Sequence, residues 1–221
     1  MKKEILFIVS FVIWTVMVMT VDVEPIGPEG TAVGFAALNG CFHQMTGVHM
    51  KLYTITDWLG LVPVAVCMGF GILGLVQWVG RRSLLKVDAD ILMLGLYYVI
   101  VILAYLLFEM IPINYRPILI EGRLEVSYPS STTLLVLSVI PTLIFQVEQR
   151  TKSTAARKAV MLTASVFTAF MVMGRLIAGV HWLTDIIGGA LLSAGLFYTY
   201  KGGVLWWNSM KNYKNLEEKK V

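Results

Sequence analysis

About half of this chain is laid out as apolar runs long enough, or nearly so, to cross a lipid bilayer, and that constrains its fold more than any other feature. A hydrocarbon core of ~30 Å asks for about 20 apolar residues as helix. Six runs approach this length, at 5–21, 58–79, 91–111, 131–147, 159–173 and 182–200. Backbone groups facing lipid must pair within their own segment, so six helices are the economical architecture. Composition points the same way: 57% of the 221 residues are apolar and 14% charged, against roughly 45–50% and 25% in soluble domains. An ordinary soluble enzyme and a disordered segment are excluded. So is a disulfide-stapled module, since Cys41 and Cys67 are too few for a framework. The expected fold is an all-α, six-helix integral membrane protein. A first helix and long loop occupy 1–57, a five-helix core 58–200, and a solvated, partly disordered Lys-rich tail 201–221.

The positive charges set the orientation. With the N-terminus inside, the inner segments hold 14 of the 18 Lys and Arg residues, and the outer ones only Lys51, Arg116, Arg123 and Arg175. Both termini are therefore expected in the cytoplasm. The net charge of +4 is topogenic and implies no nucleic-acid partner. The first run follows Met-Lys-Lys, as a signal peptide would, but Val21-Asp22-Val23-Glu24 is a poor cleavage site, so a retained helix is expected. In the long loop that follows, residues 36–52 are moderately apolar and read as an amphipathic helix at the interface.

Two outer arginines oppose the topogenic bias and so need a reason. Taken alone, either could be snorkelling to lipid headgroups. Arg175, however, is followed six residues on by His181 and then by Asp185, an i, i+4 pair at the start of the sixth run. An Asp there can accept from Nδ1–H and leave Nε2 free as nucleophile or base. It could also simply complement a helix N-terminus. On the same side, Pro129-Ser130-Ser131-Thr132 opens the fourth run as a helix N-terminus, whose free N–H groups suit an anion. Arg116 and Arg175 suit bidentate phosphate contacts. With no metal-ligand cluster in the sequence, no metal or other cofactor is expected.

Together these residues resemble the type 2 phosphatidic acid phosphatase family, a superfamily shared with vanadium haloperoxidases. Its three blocks read Lys-x6-Arg-Pro, Pro-Ser-Gly-His and Ser-Arg-x5-His-x3-Asp. Here Arg116-Pro117, Pro129-Ser130, and Arg175 with His181 and Asp185 match them in order and spacing. The resemblance implies that family's helical bundle and a hydrolase acting on lipid phosphates or diphosphates at the outer membrane face. His181 would form a phosphohistidine, oriented by Asp185. Arg116, Arg175, Ser130, Ser131 and Thr132 would bind the phosphoryl group. The partner implied is a phosphorylated lipid within the membrane; oligomeric state is left open, and the short form looks bacterial.

The departures from the pattern shape the substrate expectation. Glu109 stands at the first-block Lys position, Ser131 and Thr132 at the second-block Gly and His, and Gly174 at the third-block Ser. In the family that second-block His protonates the leaving group, and losing a general acid costs about 10²–10⁴ in rate. A diphosphate expels a phosphate-type oxygen and suffers least, which favours undecaprenyl diphosphate over phosphatidylglycerol phosphate or phosphatidate. Stand-in acids or supports are His43, His49, Tyr115 and Glu109, the last with a salt bridge to Arg116, Arg123 or Arg175 as its preferred role. The rival readings are a phosphotransferase and a lipid-phosphate-binding relative without hydrolase activity. A transporter fits less well, since the runs hold almost no interior charge beyond Glu109.

Overall fold

The computed structural model describes residues 2–218. Its α-helices, in chain order, are α1 (Lys2–Thr20), α2 (Ala36–Thr46), α3 (Met50–Leu59), α4 (Leu61–Arg81), α5 (Ala89–Met110), α6 (Ser131–Arg150), α7 (Thr154–Ile177) and α8 (Leu183–Glu218). Gly60 alone separates α3 from α4, and the two form one apolar stretch, Met50–Arg81. Counted that way there are seven helices rather than six among the described residues. The added one is α2, where a single amphipathic helix over 36–52 was expected. Gly47, at φ 65°, ends α2 and breaks that segment in two.

Among the described residues, five stretches are long and apolar enough to cross a membrane: α1, α3–α4, α5, α6 and α7. The sixth expected run falls in α8, which is not among them. α8 packs against α1, α2, α5, α6 and α7, and its enclosed first half carries Thr184, Asp185 and Ser193 fully buried. Its glycines let neighbours approach closely. A Cβ on Gly188 would lie 2.6 Å from the Tyr128 ring and one on Gly195 2.5 Å from Ile8. The outer helices are the reverse case, with Ile5, Trp58, Leu96 and Leu162 all exposed as lipid-facing side chains would be.

The tail expected at 201–221 is a continuation of α8 as far as Glu218; residues 219–221 lie outside the described residues. At 1.5 Å per residue, the 36-residue α8 runs about 54 Å, well beyond a ~30 Å hydrocarbon core.

Between α5 and α6 the chain makes a hairpin. Tyr115 pairs with Val126 and Ile120 with Arg123 as isolated antiparallel bridges. Glu121 and Gly122, at φ 50° and 74°, turn its tip, the positive-φ pair that a tight two-residue hairpin turn demands. This hairpin folds Arg116 back into the bundle end formed by the start of α6, the start of α8 and the end of α7.

Candidate functional site

His181 and Asp185 come together, though not by helical spacing. His181 lies two residues before α8 begins, so the pair does not share a helix face as the i, i+4 count suggested. Asp185 instead sits in the first turn and folds back. Its Oδ2 accepts the Trp182 N–H at 2.9 Å, the reciprocal half of a capping box, and lies 3.7 Å from His181 Nδ1. Its Oδ1 accepts from Asn114 Nδ2 at 3.2 Å. Asp185 therefore both complements the helix start and faces the histidine.

On the other side of the ring, an Arg116 Nη1–H reaches His181 Nε2 at 3.3 Å and the Val180 carbonyl at 3.5 Å. A guanidinium can only donate, so Nε2 is the lone-pair nitrogen and the ring proton sits on Nδ1, toward Asp185 and the Ser127 main chain. Burial, followed by the charges of Arg116 and Arg175, holds the imidazole well below its ordinary 6.5. The site thus contains a neutral imidazole with Nε2 turned toward positive charge, the form in which histidine is a nucleophile.

His181, Asp185, Arg175 and Arg116 are 3%, 0%, 1% and 8% exposed. Arg175 Nη1 reaches Thr56 Oγ1 at 3.5 Å and Asp57 Oδ1 at 3.6 Å. The Arg175 Nε and the Ser130 Oγ are buried without a hydrogen-bond partner, a condition rare in folded proteins unless a ligand supplies the contact. The Ser130 backbone N–H is already committed, donating to the Asp185 carbonyl at 3.0 Å. That leaves the N–H groups of the first turn of α6, beginning at Ser131, for an anion. Ser131 and Thr132 also line a cavity of about 280 Å³ with Val101, Ile102 and Leu135, an apolar space directly beneath the polar end.

The remaining sequence candidates lie elsewhere. Glu109 is exposed, and the arginines take other carboxylates: Arg116 Nε pairs with Glu125 Oε2 at 2.9 Å and Arg175 with Asp57. The expected Glu109 salt bridge is thus corrected, because the hairpin turns Glu125 onto Arg116 first. His43 packs against the Trp182 ring at 5.6 Å. His49 is exposed, its Nε2–H donating to the Thr46 carbonyl at 2.9 Å. Tyr115 lends its carbonyl to the Trp182 indole N–H at 2.7 Å. Among the described residues none of these three hydrogen-bonds to His181, Arg116 or Arg175.

Sequence reasoning missed Tyr53, Asp57, Asn114 and Glu125. Tyr53 and Asp57 had been assigned to a loop; α3 prolongs the second membrane helix and carries them to Arg175. Asn114 had a faint signal, two residues before Arg116. Glu125 had none, because only the hairpin register brings it to the site.

A helical bundle with lipid-facing flanks and a buried cationic pocket at one end defines a multi-pass membrane protein. Over residues 92–211 the sequence matches the family model of the PAP2 superfamily, more than half the chain, and the protein belongs to that family. The fold is similar to a transmembrane PAP2 type phosphatidylglycerolphosphate phosphatase from Bacillus subtilis, with a TM-score of 0.66 at 19% identity, covering 91% of this chain and 96% of that one. No curated protein matches the chain.

Proposed function

We propose that the protein is a membrane lipid phosphatase that removes a phosphate from a lipid phosphate or prenyl diphosphate through a phosphohistidine on His181. The observation that carries this reading is the neutral His181 ring, its Nε2 facing Arg116 at 3.3 Å and its Nδ1 toward Asp185 at 3.7 Å. A phosphoryl group seated on Arg116, Arg175 and the start of α6 presents its phosphorus to that lone pair. Transfer forms the N–P bond and breaks the ester or anhydride P–O bond; water then cleaves N–P and releases phosphate. Arg116 and Arg175 stabilise the charge on the transferring oxygens, and Asp185 stabilises the imidazolium character that develops.

Undecaprenyl diphosphate is the favoured substrate, followed by phosphatidylglycerol phosphate and phosphatidate. Thr132 supports this order, since a threonine hydroxyl is no proton donor at neutral pH and a diphosphate depends least on one. The Lys and Arg distribution supports an orientation with both termini in the cytoplasm and the site on the outer face. The test is phosphate release by detergent-purified protein from undecaprenyl diphosphate and from phosphatidate, alongside His181→Ala. Release that disappears in the variant is expected. Release that survives it would remove His181 from the chemistry, and no release from either lipid by folded wild-type protein would favour a phosphotransferase or a lipid-binding relative.

A further inference from the structure

We infer that Glu125 is the proton donor to the leaving group, in place of the acid that Thr132 cannot provide; this rests on the phosphatase reading above and extends it to lipid monophosphates, which the Thr132 argument alone disfavours. Three observations converge on it. First, Glu125 shares a guanidinium with the nucleophile: Arg116 Nη1 contacts His181 Nε2 at 3.3 Å, and Arg116 Nε contacts Glu125 Oε2 at 2.9 Å. The carboxylate and the imidazole thus lie on two sides of the group expected to hold the phosphoryl oxygens.

Second, the separation suits an in-line displacement. Approach of the nucleophile to phosphorus at about 3–3.5 Å, the breaking P–O bond, and a hydrogen bond of about 2.6–3.2 Å from the leaving oxygen to its acid together ask for about 7–8 Å. The two contacts through the guanidinium place Oε2 at most about 8–9 Å from Nε2. Third, Glu125 opens onto a polar cavity of about 470 Å³ lined also by Tyr105, Glu109, Arg116 and Ser131. That cavity is where a leaving group on the far side of the phosphoryl would emerge. The charged and titratable groups facing Glu125 are therefore Arg116 from its own hairpin and Glu109 and Tyr105 from α5.

The carboxylate also has a way to acquire its proton. A lipid monophosphate arriving as its monoanion (second pKa about 6) brings that proton with it and displaces Glu125 from the guanidinium. The substrate's acidic proton then moves to Glu125, and the phosphoryl dianion stays on the arginines. As Nε2 bonds to phosphorus, the P–O electron pair leaves with the alkoxide oxygen, which takes the proton from Glu125. In the second half, which both kinds of substrate share, water attacks phosphorus, its proton passes to a phosphoryl oxygen, and the N–P pair goes back to Nε2.

The test compares Glu125→Gln with wild type on phosphatidate, which expels an alkoxide, and on undecaprenyl diphosphate, which expels a phosphate. The expected result is a loss of about 10²–10⁴ in kcat on phosphatidate, a loss below tenfold on the diphosphate, and disappearance of the alkaline limb of the phosphatidate pH profile. The surviving diphosphate turnover certifies that the variant is folded. An equal loss on both substrates, read mainly in KM, would overturn the proposal, since Glu125 would then only position Arg116. No loss on either, or the selective loss appearing in Glu109→Gln instead, would overturn it as well. In all of these outcomes wild type is active and His181→Ala is not, so the phosphatase reading stands. Wild-type protein that releases no phosphate from either lipid would end both.

Discussion

Tyr53 carries both arginines of the site on its ring: the guanidinium carbon of Arg175 lies 4.8 Å from the ring centroid and that of Arg116 5.8 Å. Two like charges held this near each other repel, and Tyr53 offsets part of that cost through the negative face of its π-system. Each such contact contributes about 0.5–2 kcal/mol. Tyr53→Leu should therefore raise KM for a lipid phosphate about three- to thirty-fold with a smaller change in kcat, while Tyr53→Phe keeps the wild-type value. Steady-state kinetics on both variants decides whether the ring or the hydroxyl is responsible.

The depressed His181 titration has a consequence for stability. The folded protein keeps this ring neutral while the unfolded chain protonates near 6.5, so the unfolded state binds the extra proton below that pH. Stability should fall as pH drops below about 6.5 and be unaffected by this group above it. Thermal unfolding in detergent between about pH 8 and 5 should show wild type losing Tm at the acid end more steeply than His181→Leu. Identical slopes would assign the acid sensitivity to other groups.

Gly179 sets the turn that delivers His181. It has φ 68°, and a Cβ there would overlap the Gly47 carbonyl oxygen; the neighbouring Ala178 carbonyl accepts the His49 N–H at 3.0 Å. Gly179→Ala should cost about 1–3 kcal/mol of stability and depress kcat by displacing the histidine. Gly30 serves as the control, with a similar φ of 75° but open space around it. Gly30→Ala should cost about 1 kcal/mol or less and leave activity intact.

Sidedness can be read with the native cysteines. Cys41 is exposed on α2, at the site end of the bundle, and Cys67 is half-buried within α4. In intact cells a membrane-impermeant maleimide should modify Cys41 and spare a Cys41→Ser variant. Modification of Cys41 only after permeabilisation would invert the orientation.

Much of the bundle was legible because lipid imposes a local rule: each membrane helix must be apolar over its own length. The exception is informative. α8 packs against five other helices, so the composition of its enclosed part answers to Tyr128, Ile8 and Ser130 rather than to lipid. The order Arg116, Ser130, Arg175, His181, Asp185 was legible as spacing, and the fold gathers all five at one bundle end. The way the histidine meets the aspartate was not, since a capping turn rather than a helix face joins them. Glu125 and Tyr53 were beyond reach for a different reason. Their partners are set by a hairpin register and by the prolongation of α4 through Gly60, and neither leaves a mark in a periodicity.

The single backbone bond from the Ser130 N–H to the Asp185 carbonyl couples the helix start that would cradle a phosphate to the turn that aims the imidazole. A hinge between cradle and base has no place in such an arrangement, and a lipid diffusing in the bilayer plane would meet machinery already assembled. Turnover would then be paced by the exchange of lipids with the surrounding leaflet, and membrane fluidity rather than protein closure would be the variable to which the rate responds.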